Sequence, residues 1–293
     1  VDIAIRILGV TLILLPAIDL FRELFQPGGR GLLSVTLARA WWRVLRAPVR
    51  RSNRVASLVG PIIMISIIAS WLVSAAFGWA LVLWPSIETA VSHAGPAGDE
   101  PDFIHALYLS LVTVSTLGFG DVVPTATWAR ILVPIEALFG LGLAGGTISW
   151  LLTVHPVLSH REALATRISV LEQAERSTGV ALERTEGGHD LLNDLTAHLT
   201  SVHADMVHTP VGYYFVAGEQ RRSLPDQVEY LTEVSSRCTG SEIDAVRLAA
   251  AMLSAELHEL LATVALKHLR LPADAPAERL VEAWRRDHPV PTP

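Results

Sequence analysis

Long uncharged stretches dominate the first half of this chain, and polar periodic stretches dominate the second. Residues 55–87 contain no Asp, Glu, Lys or Arg, and 131–154 contain only Glu136. Each exceeds the roughly 20 apolar residues that cross a bilayer as a helix. Residues 7–25 form a third hydrophobic stretch, interrupted by Pro16 and Asp19 and ended by Gly28-Gly29-Arg30-Gly31; this one is expected to span, with Asp19 near its inner end, within reach of water. Residues 103–115 are apolar but too short to span, and predict a re-entrant helix that Asp102 can cap. Residues 32–46 are amphipathic, with Arg39, Arg43 and Arg46 on one face and Leu33, Leu37, Trp41 and Leu45 on another. That pattern suits a helix lying in a membrane interface, either as a plain anchor or as a link between a cytoplasmic domain and the membrane part. Beyond 158 the pattern is helical throughout: 162–174, 190–207, 225–237 with Pro225 in the first turn, 241–269 and 277–286, with Tyr213-Tyr214-Phe215 in a loop.

Composition agrees with a membrane protein carrying a soluble part. Of 293 residues 51% are apolar, and the excess lies in the first half. The net charge of −6 says little about partners, and there is no basic patch of the kind that binds nucleic acid. Cys238 is the single cysteine, so no intrachain disulfide forms. Residues 3–15 lack the basic start and small-residue cleavage site of a signal peptide. Neither a nucleophile motif nor a G-x-G-x-x-G after a strand occurs, so no enzymatic activity, organic cofactor or nucleotide-binding domain is expected. Arg43, Arg46, Arg50, Arg51 and Arg54 precede the uncharged helix, which places that end in the cytoplasm. The chain then leaves the cell across 55–87, exposes 86–102 outside, and returns across 131–154, leaving its C-terminus cytoplasmic. These arginines flank the membrane and form no regularly spaced row across it, which argues against a voltage-sensing helix.

Between the re-entrant helix and the last span stands Thr116-Leu117-Gly118-Phe119-Gly120-Asp121. A polar glycine-rich loop at membrane depth is tolerated only where protein buries it or water lines it. Glycines at alternate positions let the backbone take angles other residues resist, so that successive carbonyls can point one way. Backbone carbonyls ringed around an axis replace the hydration shell of an ion.

With this loop, residues 106–140 resemble the pore of simple bacterial two-helix potassium channels without a gap. The resemblance implies that Thr116, Leu117, Gly118 and Phe119 hold potassium ions with their carbonyls, that Gly120 completes the filter, and that Asp121 stands at the outer mouth. It sets Trp128 at the start of the inner helix and Gly140 at a gating hinge. One loop per chain then implies a homotetramer among membrane lipids, in a bacterial plasma membrane. The wider arrangement, including Asp19-Leu20-Phe21, Gly29-Arg30-Gly31 and Ser223-Leu224-Pro225, looks like a group of actinobacterial single-pore channels and brings no known ligand or cytoplasmic partner. The departures thin the filter's support: the family's glutamate behind the filter is Val112, its aromatic pair is Tyr108-Leu109, and Phe119 lacks a hydroxyl.

Glu136, one turn before Gly140, could supply the missing carboxylate behind the filter or face a polar gap. Gly145-Gly146 suits close helix packing. Glu88, Asp99, Glu100 and Asp102 could draw cations to the mouth, or simply solvate a loop. Asp194, His198, His203, Asp205 and His208 could bind a metal, though scattered surface histidines are commoner. Pro156 ends or kinks the inner helix. The expected fold is an all-α membrane protein: an N-terminal helix (1–30), an interfacial segment (31–54), a pore domain (55–157) and a helical cytoplasmic domain (158–293). The expected function is passive potassium conduction with an unknown gating stimulus. A weakly selective cation channel, or a pore-like sensor or scaffold, is the alternative.

Overall fold

The computed structural model describes residues 1–26, 31–49, 52–93, 102–217 and 220–289. They fold as an all-α membrane protein, and the chain divides into two units: Val1–Leu37 with Met64–Leu152, and Ala38–Ile63 with Thr153–Pro293. Helices α2 (Leu32–Val49), α3 (Asn53–Leu83) and α6 (Thr127–Thr178) contribute residues to both.

In the first unit, α1 (Asp2–Phe25) is continuous, and neither Pro16 nor Asp19 interrupts it as expected. A proline inside a helix orphans the carbonyl four residues earlier, and here Ser74 of α3 donates to the Leu12 carbonyl at 2.8 Å. The neighbouring helix thus replaces the missing donor, which is how a proline survives where there is no water. Gly9 and Gly78 let the two helices touch: a Cβ on either would lie 2.6–2.7 Å from the other's carbonyl oxygen. Asp19 is 2% exposed, so the expected contact with water is corrected; protein donors hold it instead.

Helix α3 ends earlier than the apolar run, because Pro85 forces a single turn of 3-10 helix at Trp84–Ser86. The short α4 (Ile87–Ala90) and strand β1 (Val91–His93) follow. Next come α5 (Asp102–Val114), with Asp102 inside its first turn, and strand β2 (Val122–Pro124). The antiparallel β1–β2 pair, with Ser92 opposite Val123, is strand structure that the helical periodicity does not reveal. Ala80, Leu83, Ile87, Ala90, Ala106, Leu109 and Ala129 form the core joining these elements, with Trp84 edge-on to Phe103 at 5.3 Å.

Helix α6 runs 52 residues through Pro156, so the end expected there does not occur. An interior proline costs ~3 kcal/mol, whereas fully burying one aliphatic side chain contributes ~1.5–3 kcal/mol. Val157, Leu164 and Ile168 are all buried beyond it, and that burial carries the helix on.

The second unit packs α7 (Gly188–His208), α8 (Leu224–Thr239), α9 (Asp244–Val264) and α10 (Ala277–Asp287). Helix α9 is long and apolar enough to cross a membrane, yet it buries Val246, Leu253, Leu257, Leu260 and Val264 while packing on α7 and α8. The residues expected as a loop, Tyr213 and Tyr214, lie in a buried 3-10 turn, Pro210–Tyr214. The Tyr213 ring stacks on His268 at 3.8 Å, and its hydroxyl donates to Asp287 at 2.6 Å. Arg161 donates to the Gly212 carbonyl at 2.8 Å and also to that of Phe215; its burial lowers its pKa to about 10. The buried face of α2 is Ser34, Ala38, Trp42 and Val49, one position along from the predicted stripe. Trp42 packs on Tyr214 and donates to Asp287 at 3.0 Å, so this half of α2 is a protein-packed helix and not only an interfacial one. A stripe of apolar residues looks the same whether lipid or protein covers it.

Candidate functional site: the loop after α5

Helix α5 delivers the chain into the loop without a spacer. Thr116 N–H donates to the Thr113 carbonyl at 2.9 Å, and the amides of Leu117 and Gly118 both reach the Val112 carbonyl, at 3.0 and 3.4 Å. Val112 therefore meets the loop through its backbone; its side chain is buried and offers no polar group. Positive φ angles follow at every second residue: Thr116 (58°), Gly118 (58°) and Gly120 (77°). Left-handed residues alternating with ordinary ones aim successive carbonyls to the same side of the strand. Glycine takes this conformation freely, whereas a β-branched threonine there is strained by ~1–2 kcal/mol. Thr116 and Arg270 are the non-glycine residues with positive φ among those described, and strain of this kind gathers at functional sites.

The side chains between these positions, Leu117 and Phe119, are 62% and 65% exposed. Past the loop, Tyr108 donates to one Asp121 carboxylate oxygen at 2.6 Å, while the other accepts the Val122 amide at 3.1 Å. Tyr108 thereby bridges α5 to the loop's exit, a pairing thirteen residues apart that a search for paired aromatics overlooks. The exit strand β2 is pinned in turn to β1, with Thr125 N–H on the Ala90 carbonyl at 2.9 Å.

On α6, Glu136 is 0% exposed and lies against Ser110 of α5. Neither carboxylate oxygen has a hydrogen bond of good geometry among the described residues. Thr113 is buried nearby on α5, whereas Ser115 turns back to the Leu111 carbonyl at 2.6 Å. Gly140 sits where α6 touches the end of α5: a Cβ there would stand 2.4 Å from the Val114 carbonyl oxygen. Gly146 faces the end of the Leu20 side chain, where a Cβ would stand 2.6 Å from a methyl carbon, while Gly142 and Gly145 meet nothing within 4 Å. Trp128 opens α6 one residue inside its start, with the Arg6 guanidinium 5.8 Å above its ring.

Other sequence candidates do not converge. Glu88 is exposed, and Asp99 and Glu100 lie outside the described residues. Asp194 pairs with Arg167 at 2.6 Å, Asp205 with His160 at 2.8 Å, and His203 sits between Glu256 and Thr263. Among the described residues no three His, Cys, Asp or Glu side chains form a metal-binding group.

Residues 66–154 match the family model described as "Ion channel". Over 53 residues the chain is 36% identical to Two-pore potassium channel 5 of Arabidopsis thaliana. That stretch is 17% of this chain and 13% of the relative's length. No solved structure matches the chain.

Proposed function

From the membership of residues 66–154 in the potassium channel superfamily, we propose that the chain forms a passive, potassium-selective channel. The observation that carries this reading is the alternation of left-handed backbone at Thr116, Gly118 and Gly120. That alternation supports a reading in which the carbonyls of Thr116, Leu117, Gly118 and Phe119 face one side, as a dehydrated cation requires. A single strand surrounds nothing, so four chains are needed to close the ring. The exposure of Leu117 and Phe119 supports neighbours on either flank, since large apolar side chains at membrane depth need protein or lipid against them.

Potassium is the permeant ion, not a resident cofactor. Asp121, held by Tyr108, stands at the outer mouth, and Glu136 supports the loop from behind through Ser110. The arginines around 43–54 favour an orientation with the second unit in the cytoplasm of a bacterial cell. The test is flux from proteoliposomes holding the purified full-length chain, with oligomer mass measured in the same preparation. Potassium flux well above sodium flux, from a tetramer, is expected. Equal permeabilities would overturn the selectivity, and a stable monomer or dimer without flux would overturn the channel.

A further inference from the structure

Two acids on α1 take no part in conduction as described, yet they gather donors from three other helices. Asp19 accepts the Leu33 amide at 3.1 Å and the Ser34 amide at 3.0 Å, both in the first turn of α2. It also accepts the Trp71 indole N–H of α3 at 3.0 Å. One turn on, Glu23 accepts the Ser34 hydroxyl at 2.5 Å and the Gly31 amide at 3.4 Å, and it faces the Trp150 indole of α6. The Trp71 and Trp150 rings meet edge to face at 5.2 Å. Gly31 must be glycine here, because a Cβ would lie 2.4 Å from the Asp19 carboxyl carbon. Asp19 and Gly31, twelve residues apart and set in two separate motifs, thus belong to one constellation.

A carboxylate away from water is costly unless its donors stay in place. Drawing α2 away would strip Asp19 of two amides and Glu23 of a hydroxyl; drawing α6 away would remove the indole beside Glu23. We propose that Asp19 and Glu23 form a carboxylate latch that ties the first turn of α2 to the inner helix α6, so that neither moves without the other. The residues of α2 from Ala38 onward belong to the second unit, so the latch grips the pore-unit end of a helix that continues into it. The proposal rests on the channel reading only in taking motion of α6 to be gating.

Two measurements on the purified full-length protein test it. The first is hydrogen exchange at the Leu33 and Ser34 amides in wild type and in Trp150→Phe, a residue that contacts neither amide directly. An increase of at least tenfold is expected, and a change within twofold overturns the latch. The second is the open–closed equilibrium in a double-mutant cycle of Ser34→Ala and Trp150→Phe. Non-additivity of at least fivefold is expected, and additive effects overturn the coupling. If the wild type carries no current, the channel reading fails and the exchange experiment alone decides the latch.

Discussion

Replacing Gly140 with alanine separates a hinge from a contact. The added carbon would stand 2.4 Å from the Val114 carbonyl oxygen and 2.9 Å from its Cα, about 1 Å inside the 3.4 Å of ordinary contact. Both opposing atoms are backbone, so no side chain can rotate aside, and α6 must move off α5 immediately beneath Thr116. Overpacking of this kind costs ~1–3 kcal/mol in each chain. Alanine is otherwise the better helix former by ~1 kcal/mol, so the same change at Gly142 and Gly145, where nothing lies within 4 Å, should be neutral or stabilising within the chain. The assay is thermal unfolding of the detergent-solubilised oligomer, with potassium and sodium flux from the same samples. Gly140→Ala should unfold at a lower temperature and lose selectivity, while Gly142→Ala retains the stability of the wild type. A hinge requires the reverse signature, with stability preserved and only opening slowed. If Gly140→Ala is as stable as the wild type, the packing argument is wrong.

Glu136→Gln should keep the fold and most of the conduction, because an amide of the same shape keeps a polar group beside Ser110. Glu136→Ala removes the polar group beside that buried hydroxyl and leaves a gap against α5, and should alter inactivation in single-channel records; wild-type behaviour of the alanine variant across external potassium concentrations would remove Glu136 as a support. Gly118→Ala places a side chain at φ 58°, costing ~1–2 kcal/mol per chain; it should leave a tetramer that no longer prefers potassium, and unchanged reversal potentials would contradict this. In the second unit, burial lowers the His288 pKa to about 4. An unfolded histidine titrates near 6.5, so the unfolded state binds the proton first: stability is full above about pH 6.5 and falls as pH drops towards 4, by up to ~3 kcal/mol. Denaturation of the full-length protein between pH 7 and 4 should show this slope, and His288→Asn should flatten it; equal slopes would assign the acid sensitivity to other groups.

Local composition and spacing determined a good deal by themselves. Absence of charge over 55–87 declares a spanning helix whatever surrounds it, because the bilayer's demand is set by length and polarity. Glycines at 118 and 120 between two spans announce backbone that side-chain-bearing residues resist, which made the loop legible. The later helices showed in their periodicity to within a few residues, since each buries one face. Tertiary structure alone decided the rest. Thr116 reads as an ordinary residue, and only the path between α5 and β2 forces it left-handed. Pro16 and Pro156 are helix breakers by local chemistry, and only a serine on a neighbouring helix in one case, and buried side chains beyond it in the other, let the helices continue. The α2 stripe fell one position from its predicted place because Trp42, not Trp41, meets Tyr214 and Asp287. Asp19 looked like an acid reaching for water, yet its donors come from residues 33, 34 and 71. A pattern along the chain reports which side chains want partners; which partners they find depends on distances that exist only after the helices have packed.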